Sequence, residues 1–251
     1  MSVDWNAERY HRVSGPMEEM GLAVLDRLRL VGDETVLDAG CGSGRVTAHL
    51  VKRLPRGRVI AIDASPAMVA QAREYLGASA DVRQVDLLEL DLEEPVDVVF
   101  STATFHWVLD HDQLFARLHA VLRRDGRLVA QCGGRGNIAE PLALAEEVAS
   151  RPPYAEHFVG WTRRTYYASA EETAERLVRT GFVDAVCWLE ERPVTPEDPV
   201  DYLETIILRD HLGQLPAELE RPFVDDVVGL MPLPVVIDYI RLNIDARRAD
   251  S

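Results

Sequence analysis

The sequence predicts an α/β fold: an open, mostly parallel sheet with helices on both faces and helical insertions over one end. Three observations carry this. Short, continuously apolar strand signals alternate with helix signals, the pattern of a sheet buried on both faces. A glycine-rich turn joins the first strand to the helix after it. The 251 residues, 47% of them hydrophobic, supply one large domain with material beyond a minimal sheet.

Met17, Gly21, Val24 and Leu28 recur at helical spacing and form a first amphipathic helix. Thr35 to Asp38 is the first strand, Val46, Leu50 and Leu54 mark the next helix, and Arg58 to Asp63 is the second strand. Ser65-Pro66 opens the following helix, with Ser as N-cap and Pro at the first helical position, and Met68, Ala72 and Tyr75 or Leu76 continue it. Val82 to Val85 and Val96 to Phe100 are the third and fourth strands. Leu114, Leu118 and Val121 lie on a helix that Asp112 is expected to cap; Arg127 to Gln131 is the fifth strand, after a turn at Asp125-Gly126. Ile138 to Tyr167 lacks a strand pattern and concentrates aromatic and basic side chains. Ser169 to Glu172 reads as a capping box, Gly181 ends that helix, and Val183 to Leu189 is the sixth strand. Pro199 to Met231 reads as mainly helical. Val235 to Ile244 is expected to be the last strand, with Val236, Asp238, Ile240, Leu242 and Ile244 on one face.

The expected organisation is a single domain, 1–251. It comprises an N-terminal lid and helix (1–29), a ligand-binding core (30–137), two cap insertions (138–168 and 199–232) and the remaining core helix and strands (169–198 and 233–251). Open α/β sheets bind ligands outside the carboxyl ends of their strands, so insertions there would cover the ligand.

Charge narrows the partners. Lys plus Arg is 27 and Asp plus Glu is 42, a net charge of −15, and such a field repels nucleic acid and anionic membranes. The longest apolar run, Val227 to Ile237, is far short of the roughly twenty residues of a membrane span and is broken by Pro232 and Pro234. Met1 to Gly15 has no apolar core of a signal peptide. Cys41, Cys132 and Cys187 are far apart, so neither a disulfide framework nor a zinc site is expected, and a cytoplasmic setting is. A small-molecule substrate remains the natural partner; oligomeric state is not legible.

The sharpest motif is Asp38-Ala-Gly-Cys-Gly-Ser-Gly44 between strand and helix. A dinucleotide turn would place a third glycine or an alanine where Arg45 stands, and Asp38 would repel a pyrophosphate. A cationic cofactor would be attracted instead. Asp63 follows Gly42 by 21 residues, at the end of the second strand, where a carboxylate accepts both hydroxyls of a ribose. Dinucleotide-binding proteins place an acid similarly, so Asp63 alone does not discriminate. Asp86 ends the third strand and is placed to accept from an adenine amino group. A nicotinamide oxidoreductase and a non-catalytic cofactor-binding regulator are the rivals of an enzyme using an adenosyl cation.

These residues resemble the class I S-adenosylmethionine-dependent methyltransferases, closely over Leu30 to Gly133 and loosely beyond. The resemblance implies a Rossmann-like seven-stranded sheet with the last strand antiparallel. It implies S-adenosylmethionine as cofactor and S-adenosylhomocysteine as product, with Asp38, Gly40, Cys41 and Gly42 in the cofactor turn. Asp63 is then the ribose acid, Ala64 and Met68 flank the adenine, and Asp86-Leu87 lies at its edge. A carbonyl near Ser101 and Thr102 would hold the ammonium. Gly181-Phe182 is similar to the family's Gly-Phe, whereas Arg124-Asp125-Gly126 departs from its usual Pro-Gly-Gly.

Ser101-Thr-Ala-Thr-Phe-His-Trp107 is similar to the small-molecule carboxyl methyltransferases of the trans-aconitate type, and its His-Trp pair to juvenile hormone acid methyltransferases. In that likeness Trp107 walls the pocket and His106 faces the transferred methyl. Methyl transfer is an in-line displacement in which alignment and exclusion of water dominate. A carboxylate acceptor needs no base; a hydroxyl does, and histidine has the intrinsic pKa for it. His106 is therefore the candidate catalytic residue, as general base or as a positioning group. His106, Asp110, His111 and Asp112 read better as a polar turn than as a metal site, and no metal is expected. Trp5 and Tyr10 are candidates to fold over the substrate and the cofactor. Trp161, Arg163, Arg164, Tyr166 and Tyr167 form a basic aromatic island, read as a cap suited to an acid or as a solvated face with ordinary core aromatics. The reading is methyl transfer to a small molecule, first to an oxygen of a carboxylate or hydroxyl, alternatively to nitrogen or carbon.

Overall fold

The computed structural model describes residues 15–249. Trp5 and Tyr10 lie outside the described residues. The chain opens with α1 (Gly15–Leu25) and then alternates β1 (Thr35–Ala39), α2 (Arg45–Lys52), β2 (Arg58–Asp63), α3 (Pro66–Leu76), β3 (Asp81–Gln84), β4 (Val96–Thr102), α4 (His111–Val121) and β5 (Leu122–Gly133). After α5 (Ala139–Ala149) come α6 (Ala170–Thr180) and β6 (Phe182–Glu191). Two short helices, α7 (Pro199–Tyr202) and α8 (Arg209–Leu212), α9 (Ala217–Leu230) and β7 (Ile240–Arg248) complete it.

The strands form a seven-stranded sheet in the order β3-β2-β1-β4-β5-β7-β6. β7 runs antiparallel to both neighbours and the other described pairings are parallel, as the family resemblance implies.

Strand periodicity builds two cores from one run of apolar residues. Leu37, Ile60, Ile62, Val99, Leu128 and Ala130 face one way, against Leu114, Phe115 and Leu118 of α4 and Leu177 of α6. Their sequence neighbours Val36, Val59, Ala61, Val98, Phe100 and Val129 face the other, against Val24 and Leu25 of α1, Leu50 of α2 and Val69 and Ala72 of α3. A third apolar cluster joins Ile138, Leu142 and Tyr154 to Leu203, Ile207, Phe223 and Val227. Segments before and after α6 and β6 therefore share one core of their own.

The expected start and stop signals operate as physics requires. The Ser65 hydroxyl accepts from the Met68 amide with Pro66 behind it, Ser169 accepts from Glu172, and Gly181 closes α6 in the left-handed region. At position 75 or 76, Leu76 turns inward and Tyr75 is exposed.

Two expectations are corrected. Asp110, not Asp112, caps α4, accepting from the Gln113 amide at 2.9 Å; Asp112 instead pairs with Arg176 and Arg179 of α6. The last strand begins at Ile240, so Val236 and Asp238 precede it and it runs on to Arg248. Its buried inward face is Leu242, Ile244 and Ala246. The opposite face buries Arg241 and Asn243, polar residues that hide the strand from a hydrophobicity reading. Asn243 is satisfied by Arg27 at 2.7 Å and Gln131 at 2.9 Å. Among the described residues, no helix is long and apolar enough to cross a membrane.

Candidate active site

The carboxyl ends of β1 to β4 open into a cavity of about 1050 Å³. Of the residues named from the sequence, Asp38, Gly40, Cys41, Gly42, Asp63, Ala64, Met68, Asp86, Leu87, Thr102, His106, Trp107 and Arg163 line it.

Its first wall is backbone and carboxylate. Gly42 has φ +54, and a Cβ built there would meet nothing within 4 Å, so the bare backbone faces open space in the cavity. Gly40, at φ +89, has a different reason: a Cβ would lie 2.2 Å from the Thr104 hydroxyl. Its missing side chain lets the 102–104 turn close on the glycine turn, where the Thr104 hydroxyl is 3.2 Å from the Gly40 carbonyl and 2.9 Å from that of Thr102.

Asp63 accepts from the Gly42 amide at 2.9 Å through one oxygen and from the Ser65 amide at 2.9 Å through the other. Each oxygen keeps a lone pair, so the carboxylate shapes the turn and still presents acceptors to a diol. Burial raises its pKa, against those amide hydrogen bonds. Asp38 is 2% exposed and accepts from Thr47 at 2.7 Å. Burial first, then the nearby charge of Asp63, pushes its carboxyl up to about 7. A cation entering the cavity would restore its charge. Asp86 caps a short turn through the Leu88 amide at 2.9 Å. Burial and these acids push the Cys41 thiol far up, so it stays protonated.

The opposite wall comes from the turn after β4, the segment before α6, the third core and β7. His106 is buried, and its Nδ1 accepts from the Gly133 amide at 3.2 Å. An amide only donates, so the proton of the neutral ring sits on Nε2. Burial, then the charges of Arg241 and His111, hold the pKa of His106 well below the usual histidine value, so the ring is neutral near pH 7. His106 lines the cavity as a neutral ring with its donor proton on Nε2. Its ring lies 5.3 Å from Trp107 and 5.7 Å from Tyr167.

Three other expectations change. Ser101 is buried in β4, its hydroxyl donating to the Ala39 carbonyl at 2.6 Å; Thr102, Ala103 and Thr104 line the cavity in its place. Tyr166 turns away, its hydroxyl 2.8 Å from Glu172 and its ring 4.9 Å from His111, whereas Tyr167 lines the cavity. An extended segment sends adjacent side chains to opposite sides, and composition does not say which goes in. Trp161 packs on Phe158 and His211 behind the wall. The polar turn after β4 diverges: Asp110 caps a helix, Asp112 pairs with arginines, and His111 Nε2 bonds the Phe105 carbonyl at 3.0 Å. Sequence reasoning missed Thr104, Asn137, His211, Tyr239 and Arg241, all lining the cavity and scattered through the chain.

The strand order, the single antiparallel strand and an acid-lined glycine turn at the carboxyl edge define a class I methyltransferase fold. Residues 36–126 match the model of the methyltransferase domain family. A trans-aconitate 2-methyltransferase of Methylobacterium nodulans is 33% identical across 98% of this chain and 99% of its own. That of Shigella flexneri is 36% identical over 60% of this chain and 59% of its own length. Among solved structures, the phosphoethanolamine N-methyltransferase 2 of Haemonchus contortus, in complex with phosphomonomethylethanolamine and S-adenosylhomocysteine, superposes with a TM-score of 0.64 at 20% identity. It covers 97% of this chain and 57% of that one. The chain belongs to the S-adenosylmethionine-dependent methyltransferases of the trans-aconitate type. Its cofactor is S-adenosylmethionine, and the first wall fits it: bare backbone at Gly42, a preset acceptor at Asp63 and a buried acid at Asp38.

Proposed function

We propose that this methyltransferase esterifies a carboxylate of a small organic acid. The observation that carries the reading is the tautomer of His106. With Nδ1 held by the Gly133 amide and the ring neutral, Nε2 offers a proton and takes none. Such a group serves an acceptor that is already ionised: it donates to one carboxylate oxygen and leaves the other free to attack. The names of the two trans-aconitate relatives support the same acceptor class.

When bound, S-adenosylmethionine supplies an electrophilic methyl on its sulfonium. The chain's residues hold and align. Asp63 would accept the ribose hydroxyls, Asp86 and Leu87 would meet the adenine edge, and Ala64 and Met68 would flank the base. The turn at Thr102 would hold the methionine end, and Asp38 would supply negative charge to the cation. Trp107 and the insertions 138–168 and 199–232 form a cap that excludes water, which strengthens every charge interaction inside. We place this single-domain enzyme in the cytoplasm on its acidic composition and isolated cysteines.

The test offers the purified protein and S-adenosylmethionine a panel of small carboxylic acids headed by trans-aconitate, with phenols, alcohols and amines. Products are read by mass spectrometry and by lability to alkali. An alkali-labile methyl ester is expected. Methylation confined to hydroxyl, nitrogen or carbon acceptors, or to none, would overturn the reading.

A further inference from the structure

Arg241 stands out among the arginines of the molecule. It is 2% exposed, lies near the start of β7 between β5 and β6, and lines the cavity. Its Nε donates to the Gln131 side chain at 3.4 Å, and its guanidinium lies 5.7 Å from the Tyr239 ring. Among the described residues, no carboxylate comes within ion-pair distance of it. The contrast with Arg163 is direct: that residue also lines the cavity but is paired with Glu146 at 3.3 Å.

A buried cation without a counter-ion is unfavourable, because no opposite charge offsets its desolvation. Fold stability does not explain keeping it there. An anion arriving through the cavity does. The position is also specific: Arg241 is the register partner of Gly133, whose amide holds the His106 ring. Paired residues on neighbouring strands lie only about 5 Å apart at Cα. The donor on His106 and the cation on Arg241 therefore flank the same part of the pocket, on backbone that the sheet keeps rigid.

We propose that Arg241 is a specificity-determining residue of the acceptor pocket, its guanidinium binding a carboxylate of the substrate other than the one methylated. The enzyme then selects acids with at least two carboxylates and orients them so that the second faces His106 and the methyl donor. This rests on the carboxylate reading above. Arg163, with its charge already answered by Glu146, is secondary.

Arg241→Met keeps the side chain's bulk and removes the charge; Arg241→Lys keeps the charge without the planar fork. Thermal melting is followed with S-adenosylhomocysteine present, with and without trans-aconitate or the monocarboxylate crotonate, alongside methyl-transfer kinetics. Trans-aconitate is expected to raise the wild-type melting temperature and crotonate to do so far less. In Arg241→Met the trans-aconitate shift disappears and its KM rises about a hundredfold, the usual scale for truncating one side of a buried charge pair. Arg241→Lys recovers part of both, and S-adenosylhomocysteine affinity stays within a few-fold. Without acid, Arg241→Met melts no lower than wild type, whereas loss of a structural arginine would lower it. A wild type that responds to trans-aconitate together with a Met variant that responds equally overturns the assignment alone. A wild type that neither binds nor methylates any carboxylic acid overturns the carboxylate reading and this assignment with it.

Discussion

Across a single cavity the two walls solve opposite electrostatic problems. The cofactor wall gathers Asp38, Asp63 and Asp86 around a glycine turn, all supplied by three consecutive strand ends. The acceptor wall gathers His106, Arg163, Tyr167 and Arg241 from segments up to 135 residues apart in the chain. One wall fits a cation and is made of backbone and carboxylate. The other, on the proposed reading, takes an anion and is made of side chains. A molecule of net charge −15 thus carries a local basic pocket, and its overall field says nothing about the charge of its acceptor.

The largest effects are expected on the backbone wall, where shape leaves no room for adjustment. Gly42→Val would put branched carbon into the open space beside the turn and force a β-branched residue to φ +54. Strain and occlusion together should weaken S-adenosylhomocysteine at least about a hundredfold, equivalent to about 3 kcal/mol. Calorimetry reads the loss, and the melting temperature should fall only by what the backbone strain costs. Gly40→Val should melt lower still, because its Cβ also collides with Thr104 inside the protein. Equal effects of the two variants on binding and on melting would erase the distinction between a glycine that admits ligand and one that admits packing.

Next comes Asp63→Asn. The amide retains one acceptor oxygen where the carboxylate used two, so either the Gly42 or the Ser65 bond is lost along with the charge toward the ribose. A loss of about 1.5–3 kcal/mol is expected, read as roughly ten- to hundredfold weaker S-adenosylhomocysteine binding. Unchanged affinity would remove Asp63 from the ribose site.

The two walls also differ in how they could be read. The first is local in sequence: strand, glycine turn, helix, then an acid at the next strand end. Spacing alone therefore located Asp38, Gly42, Asp63 and Asp86. The sheet was legible for the same reason, since Val36/Leu37 and Ile60/Ala61 alternate between two buried faces. The second wall depends on side-chain direction and long-range pairing. Tyr166 and Tyr167 are adjacent, and only the path of the segment sends the second inward. Arg241 lay in a strand whose polar face obscured its boundaries, and nothing near it in sequence marks it as a ligand. His106 was found by its motif, yet its role turned on the Gly133 amide, 27 residues away.

The buried acid of the first wall gives a pH signature that the second should lack. Asp38 titrates near 7 in the folded protein against 3.8 ordinarily, because burial and Asp63 disfavour its charge. A bound cation favours the ionised form, so binding expels a proton below pH 7. S-adenosylmethionine affinity should rise with pH by up to about tenfold per unit toward pH 7 and then level off. The opposite sign governs the stability of the free protein. Below 3.8 the group is neutral folded and unfolded; between 3.8 and about 7 only the unfolded chain ionises. Stability from this group is therefore lost as pH rises through that window, and no further above it. Asp38→Asn should flatten both slopes, by calorimetry and by melts across pH 5 to 8; a slope that survives the substitution belongs to another group.

The smallest expected effect is the most pointed, because it concerns a histidine that motif reading would make the base. His106→Gln preserves what the geometry requires: an amide oxygen to take the Gly133 N–H and an amide nitrogen to donate toward the acceptor. A carboxylate acceptor should then lose only severalfold in kcat/KM, about 1 kcal/mol for a less ideal hydrogen bond. His106→Leu removes the donor and leaves the Gly133 amide without its partner, and should cost clearly more. The pH–rate profile should show no limb that vanishes with the ring, since a neutral Nε2–H donor does not titrate into a base near pH 7. If His106→Gln instead abolishes turnover and deletes a titrating limb, the ring moves a proton during the reaction. The acceptor wall would then have to be rebuilt around a protonated acceptor, such as a hydroxyl, in place of the ionised carboxylate.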